Sequence, residues 1–229
     1  MNILLAGTGS VAAIKYWRLF KALQDVGTVK GILTDKGAYF ASTALAENKD
    51  LLHIASSGEV YSDSNEWSWK KIGDQVLHID LKDWADVLVI APLSANTLTK
   101  MAVGICDNLL TSLYYAWPSD KNIVVAPAMN TDMLNNPLTD KHLKELRTRH
   151  SFSRLAKKDE ELSGPQKSYE SIDYQPITIG NSVREKPVIF TQRLCIVEPV
   201  ESKLACGVLG KGAMAPLADI VNAVKEYGE

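Results

Sequence analysis

Three short polar segments, each directly after an apolar run, carry the side chains best suited to binding and chemistry. Gly7-Thr8-Gly9-Ser10 follows the run 3–6, 91–97 follows the run 86–90, and Asn130 lies in 127–133 after the run 123–126. Short apolar runs of this kind are typical of buried parallel strands. Because ligands of open α/β sheets bind at the carboxyl ends of the strands, the three segments predict one shared site. Their residue types suit a planar ligand that carries a phosphate.

The first segment offers a place for that phosphate. Gly9-Ser10 lies where the first strand passes into a helix, so backbone N–H groups and the helix dipole favour an anion there. The dinucleotide-binding fingerprint needs three glycines, whereas Ala12 takes the third place after Gly7 and Gly9. A tight strand-to-helix turn without a ligand is the alternative interpretation.

The second segment has two hydroxyls and one amide in four residues. Ser94 is a good helix N-cap, but capping alone does not account for Asn96 and Thr97 as well. We therefore expect this segment to hold a phosphate or the edge of a planar ring.

His78 is the candidate for proton transfer, since an unperturbed imidazole titrates at about pH 6.5. The alternation of residues 76–80 places His78 on the face opposite Leu77 and Ile79. A purely structural histidine is the alternative. No two of the four histidines have metal-ligand spacing, so we expect no metal site.

A glycine-rich stretch near the C-terminus combines a thiol with two lysines. Lys203 and Cys206 precede Gly207, and Lys211 stands between Gly210 and Gly212. Glycines at this density predict a mobile flap, and its groups suit closure over an anionic substrate. A flexible loop before the last helix is the alternative.

The bulk properties argue against several classes of protein. The 229 residues suffice for one domain with a sizeable core, and the net charge of −2 gives no electrostatic basis for a nucleic-acid or anionic-membrane partner. No apolar run has the length of a membrane span, and the N-terminus lacks the pattern of a secretory signal. Three cysteines without ligand spacing are typical of a reducing compartment, so we expect the cytoplasm.

Strands and helices alternate along most of the chain, which predicts an α/β protein with a doubly wound parallel sheet and helices on both faces. The expected strands are 2–6, 29–34, 85–91 and 122–126. The expected helices begin at Ser10 (with Ile14, Trp17, Leu19 and Leu23 facing the core) and cover 35–46, 94–103, 107–116, 137–147 and 213–227. Residues at about 150–190 show no clear period, and we interpret them as a mobile surface insertion in a single domain of residues 1–229.

Taken together, several of these segments resemble the flavin-dependent cysteine decarboxylases. They are 127–133, the run 94–97 with its continuation 104–111, and 204–207. Glu66-Trp67, 76–80 and 84–86 further resemble the phosphopantothenoylcysteine decarboxylases of coenzyme A biosynthesis. The resemblance implies a Rossmann-like flavoprotein fold and a homotrimer that binds FMN between subunits.

The resemblance also implies roles for individual residues. The residues expected to line FMN are Gly9, Ser10, Val11, Thr34, Asp35, Lys36, Ser94, Ala95, Asn96, Thr97 and Ala128. Those expected to bind substrate are Asn130, Lys203, Ala205 and Met214. His78 matches the catalytic histidine, and Cys206 matches a proton donor on a clamp that closes over the site. Leu134 and Gly37 depart from the family pattern, in which a Trp and a more polar residue are usual.

The implied reaction is FMN-dependent decarboxylation of 4′-phosphopantothenoylcysteine to 4′-phosphopantetheine. Direct loss of CO2 would leave an unstabilised carbanion, whereas removal of a hydride from the carbon bearing sulfur creates a C=S bond that accepts the electrons. Two other interpretations share the fold: a regulatory subunit that binds a protein phosphatase, and a flavin prenyltransferase. The clamp cysteine argues against the second.

Overall fold

A six-stranded parallel sheet forms the centre of the structure. The computed structural model describes residues 1–45, 49–155, 171–179, 182–205 and 207–228. For residues 49 and 50, and for those of the described residues that lie within 152–191, it describes the backbone alone. The strands are β1 (Asn2–Gly7), β2 (Thr28–Leu33), β3 (Val60–Tyr61), β4 (Val87–Leu93), β5 (Asn122–Pro127), β6 (Ser151–Leu155), β7 (Ser171–Ile179), β8 (Ser182–Gln192), β9 (Leu194–Ile196), β10 (Val200–Lys203) and β11 (Leu209–Ala213). The main sheet has the order β3-β2-β1-β4-β5-β9, so the direction of winding reverses between β1 and β4.

Helices cover both faces of this sheet. They are α1 (Tyr16–Gln24), α2 (Asp35–Thr43), α3 (Lys49–Ala55), α4 (Asp63–Glu66), α5 (Leu77–Trp84), α6 (Ala95–Val103), α7 (Leu109–Tyr115), α8 (Thr131–Leu134), α9 (Pro137–Arg149) and α10 (Leu217–Tyr227), with a 3-10 turn at Val11–Lys15 before α1. Across the residues described, no helix combines the length and apolar character that a bilayer crossing requires.

Alternation along the strands divides the core into two apolar layers. Ile3 and Leu5 of β1 pack with α1 and α10 on one face, while Leu4 and Ala6 point to the other face and pack with α6 and α7. The sheet is therefore buried on both sides, which is why its strands are continuous apolar runs in the sequence. This arrangement confirms the predicted doubly wound α/β fold.

Most predicted elements are present, with three corrections. The segment around His78 is the first turn of α5 rather than an alternating strand, and the last helix begins at Leu217 because 209–213 forms β11. Ile14 is exposed while Trp17, Leu19 and Leu23 are buried. The 3-10 turn has a different period from the α-helix that follows it, so Ile14 leaves the buried stripe.

The segment at 150–190 contains strands that the sequence, in which no clear period was found, did not predict. β6, β7 and β8 form a separate antiparallel sheet in the order β6-β8-β7, and residues 156–170 of the predicted insertion lie outside the described residues. Ser151 pairs with Gln192, so the segment from β6 to β8, called the excursion below, starts and ends at the same place. The chain therefore reaches β9, β10 and β11 as it would without the insertion.

A buried Tyr–His pair lies beside the start of this excursion. His150 Nε2 is 2.9 Å from the Tyr114 hydroxyl oxygen, and its backbone C=O accepts a hydrogen bond from Arg193 N–H. Burial, followed by the nearby charge of Arg149, lowers the pKa of His150 from 6.5 to about 4. His150 is thus neutral in the folded protein at neutral pH, whereas in the unfolded chain it takes up a proton near its ordinary pKa.

We predict that His150 makes the protein less stable in mild acid. Below pH 6.5 the unfolded chain gains a proton that the folded one accepts only near pH 4, so the free energy of unfolding falls as the pH drops through this window. The loss attributable to this group is on the order of 3 kcal/mol over the full window. Urea unfolding at several pH values checks it, with His150→Phe as the variant that cannot titrate. An equally steep pH dependence in that variant would contradict the assignment.

Candidate active site

The carboxyl ends of β1, β4 and β5 open into a cleft of about 730 Å³, which the β10–β11 hairpin borders on one side. It lies at the point where the strand order reverses, the usual ligand position in this architecture. Eleven of the residues predicted for the site line it: Gly9, Ser10, Val11, Ser94, Ala95, Asn96, Ala128, Asn130, Lys203, Ala205 and Met214. The structure thus brings together the three strand ends that the sequence grouped.

Thr8 joins two of these strand ends. Its hydroxyl donates to the Pro92 carbonyl oxygen at 2.8 Å and accepts from Ser94 N–H at 2.8 Å. The residue is completely buried, so both bonds lie out of water. Thr8 therefore fixes the turn after β1 against the turn after β4, a role that the sequence analysis did not assign to it.

The start of α2 packs behind Gly9. Thr34 caps α2 by accepting from Gly37 N–H, and a Cβ at Gly9 would lie 2.7 Å from the Lys36 Cβ. A Cβ at Gly37 would collide with the Gly7 carbonyl oxygen, so any side chain at position 37 would require α2 to move away from the end of β1. Thr34, Asp35 and Lys36 are not among the residues that line the cleft. A ligand in the cleft could meet these three residues only at the rim of the cleft.

The second strand end forms a helix cap more extensive than expected. Ser94 Oγ accepts from Thr97 N–H and donates to Thr97 Oγ1, each at 3.3 Å. Both side chains are buried, so Thr97 takes part in the cap together with Ser94, and its predicted contact with FMN stays a prediction. Asn96 is exposed and lines the cleft, which leaves its amide to face a ligand.

The hairpin meets the third strand end through two glycines. Met129 N–H donates to the Gly212 carbonyl oxygen at 3.0 Å. A Cβ at Gly212 would collide with the Met129 carbonyl oxygen, and one at Gly210 would collide with Thr131 Oγ1. These glycines allow close contact between the hairpin and the 129–131 segment. Their density in the sequence predicted flexibility instead, because close packing between distant segments has no local sequence signal.

The hairpin also carries the predicted substrate residues to the cleft. Lys203 is the last residue of β10 and Ala205 lies two positions later, while Met214 is buried just after β11. Cys206, the predicted proton donor, lies outside the described residues. On either side of it, Gly207 N–H donates to the Leu204 carbonyl oxygen at 2.8 Å.

The cleft also has an apolar lining that the sequence analysis missed. Ile14, Phe40, Met129, Met133 and Leu204 border it. Large apolar side chains with a few polar groups at the strand ends are the usual lining of a cofactor or small-molecule site. Leu134, where the family resemblance leads one to expect Trp, is only partly buried and packs against the apolar layer below.

His78 is not among the residues that line the cleft. It lies in the first turn of α5, with its Nδ1 at 2.5 Å from Glu66 Oε1. Its side chain is 23% exposed. Within a single chain the predicted catalytic histidine and the predicted ligand cleft are therefore two separate features.

Residues 1–172 match the model of the flavoprotein family. The chain is 40% identical to a phosphopantothenoylcysteine decarboxylase of Glycine max over 229 residues, which is 100% of this chain and 84% of that protein.

Solved structures show the same similarity. One is a PPC decarboxylase cysteine-to-serine mutant complexed with pantothenoylaminoethenethiol, with a TM-score of 0.71 and 37% sequence identity to this chain. The match covers 98% of this chain and 96% of that chain. The FMN binding protein AtHal3 has a TM-score of 0.67 and 38% identity, and the two chains are covered to 98% and 94%. The Rossmann-like flavoprotein fold that the sequence predicted is thus confirmed.

We predict that the Thr8 hydroxyl is needed to hold the cleft in shape. Thr8→Val keeps the shape of the side chain but leaves the buried Ser94 N–H without its acceptor, which costs about 1–3 kcal/mol. Urea unfolding measures the loss, and hydrogen exchange at the Ser94 amide should accelerate. Thr8→Ser retains the hydroxyl and should recover most of the stability. A Thr8→Val protein as stable as the parent would show that the bridge contributes nothing.

Proposed function

The chain belongs to the flavoprotein family, and we propose that it catalyses the FMN-dependent decarboxylation of 4′-phosphopantothenoylcysteine to 4′-phosphopantetheine in coenzyme A biosynthesis. The observation that carries the proposal is the cleft at the reversal of strand order. Three strand ends and a hairpin line it with predicted FMN-binding residues, the amide of Asn130 and the ammonium of Lys203. The imidazole of His78 lies outside it. The similarity over the full chain to phosphopantothenoylcysteine decarboxylases supports it.

The residues around the cleft fit FMN in size and in chemistry. Its volume of about 730 Å³ lies within the range of about 300–1,000 Å³ usual for cofactor and small-molecule sites. The Gly9 N–H and the Ser10 hydroxyl stand before the 3-10 turn and can take the phosphate, while the missing Cβ of Gly9 makes room for Lys36 of α2 behind it. Asn96 and Ala128 stand at neighbouring strand ends, where the ring would lie.

The protein's part in the reaction is to bind, orient and exchange protons. FMN, when bound, would supply the reversible two-electron oxidation of the carbon next to sulfur on which the loss of CO2 depends. Asn130 lies on the cleft wall with its Oδ1 accepting from Asp132 N–H at 2.8 Å, and its amide is proposed to contact the carboxylate end of the substrate. The Lys203 ammonium stands on the hairpin where an anionic substrate would enter. Cys206 is proposed to give the proton that completes the product.

We also propose that the active site is shared between copies of the chain in a homotrimer. His78 is outside the cleft of its own chain, and the 67–76 segment next to it exposes large apolar side chains: Trp67 is 76% exposed and Ile72 is 95% exposed. An exposed apolar patch beside a functional group favours burial against a partner. A second copy whose cleft meets this surface would receive the imidazole of His78 there.

We further propose the cytoplasm as the compartment. Cys106 and Cys195 are free thiols in the structure. Unpaired cysteines are usual in proteins of a reducing compartment.

His78→Asn should abolish CO2 release and leave FMN bound. Removing a group that transfers protons lowers turnover by about 10²–10⁴-fold, while the cleft residues remain intact. The measurements are CO2 release from synthetic 4′-phosphopantothenoylcysteine and the FMN absorption of the purified protein. Unchanged turnover in His78→Asn would remove the imidazole from the mechanism. A parent protein that binds FMN but releases no CO2 would instead favour a regulatory role.

Mixing two inactive variants should restore activity if the site is shared. His78→Asn keeps its cleft, and Asn130→Ser keeps its imidazole and a good N-cap for α8 while losing the amide. With random assembly about a quarter of the interfaces would combine an intact cleft with an intact His78. Light scattering should give about three times the mass of the 25.2 kDa chain. A mixture that stays inactive, or a monomer, would refute the shared site.

A further inference from the structure

Both oxygens of the Glu66 carboxylate bind the same residue. Oε1 lies 2.5 Å from His78 Nδ1, and Oε2 accepts from the His78 backbone N–H at 3.1 Å. The Glu66 side chain is only 9% exposed, so the pair is largely shielded from water. One carboxylate therefore fixes the backbone and the ring of His78 together.

Glu66 is itself held in place by the fold. It is the last residue of α4, a helix whose start is capped reciprocally by Ser62 and Asn65. Asp63 in the same helix accepts from Leu109 N–H at 2.9 Å, which ties α4 to the first turn of α7. The carboxylate therefore has an anchor that does not depend on the 67–76 segment between Glu66 and α5.

The backbone contact supplies a helix cap that the local sequence lacks. Val76, the N-cap residue of α5, makes no side-chain capping bond, because its side chain has no acceptor. Glu66 Oε2 takes over the role from 12 positions away, and a negative charge at a helix start is favourable. A capping role alone would predict an effect of Glu66 on stability but none on the state of the ring.

The ring contact has a separate chemical consequence. An ionised carboxylate only accepts hydrogen bonds, so Nδ1 must carry the hydrogen in this contact. In the neutral ring the lone pair then resides on Nε2, the nitrogen that the Glu66 contact leaves available. We propose that Glu66 is a positioning residue for His78, holding the ring in the Nδ1–H form with Nε2 directed to the proton that is moved. The inference rests on the proposed function, in which His78 transfers that proton.

Glu66→Gln separates positioning from capping. The Gln amide oxygen can still accept from the His78 backbone N–H, but its NH2 group then faces Nδ1 and donates to it, which demands the opposite tautomer. We expect α5 to stay capped, with a melting temperature and FMN content close to those of the parent. Turnover should fall about 10²-fold or more. Asp83→Asn, which removes a charge from an exposed position of the same helix, is the matched control and should keep parental turnover.

The tautomer is read directly by NMR of 15N-histidine-labelled protein at alkaline pH, with His78→Asn used to assign the signal. Hydrogen on Nδ1 in the parent and on Nε2 in Glu66→Gln supports the proposal. Hydrogen on Nε2 alone in the parent overturns it, whether or not the variant folds. Parental turnover in Glu66→Gln despite a reversed tautomer also overturns it. A parent that releases no CO2 refutes the proposed function instead, and the NMR result still decides whether Glu66 sets the ring.

Discussion

The hydrogen-bonded bridge at Thr8 is the constraint on which the site depends. At the reversal of strand order the chain leaves β1 and β4 towards different helices, which makes room for a ligand between the two turns. The buried Thr8 joins these strand ends: its backbone N–H and its hydroxyl both donate to Pro92 O, and the hydroxyl accepts from Ser94 N–H. Because one side chain serves both strands, the turn after β1 and the cap of α6 keep a fixed relation, and the cleft has a defined width.

The remaining walls of the cleft depend on close approaches rather than on side-chain bonds. Gly37 lets α2 approach the end of β1, and Gly210 and Gly212 let the hairpin approach 129–131. Each contact leaves no space for a Cβ, because a backbone carbonyl oxygen lies against Gly37 and Gly212 and Thr131 Oγ1 lies against Gly210. The excursion of β6, β7 and β8 does not disturb them, since it returns to its starting point at the Ser151–Gln192 pair.

The sequence could predict those features whose causes are local. Continuous apolar runs locate β1, β4 and β5, and Ser10, Ser94 and Pro137 mark helix starts because capping acts within a few residues. Prediction from the sequence failed where contacts between distant parts of the chain decide the structure. Leu77-His78-Ile79 fits both a short strand and a helix turn by period, and what makes it helical is packing with α7 and the cap from Glu66. The strands at 171–192 were missed because charged residues and prolines interrupt their alternation.

The same distinction applies to the site. Eleven predicted residues line the cleft because they follow strands, and topology alone brings strand ends together. Thr8 was missed, since a threonine between two glycines looks like an ordinary turn residue until its partners across the sheet are known.

Separate sets of contacts form the cleft and fix His78 in place. The cleft is formed by strand ends that the apolar layers hold in register, whereas His78 is fixed by a polar unit of α4, α5 and the start of α7. A substitution in the Glu66 unit can therefore alter proton transfer while the cleft keeps its shape, and a change in the cleft can alter binding while the ring keeps its tautomer. Such separation is what an active site assembled from two copies requires, because each half must be preorganised before the copies meet.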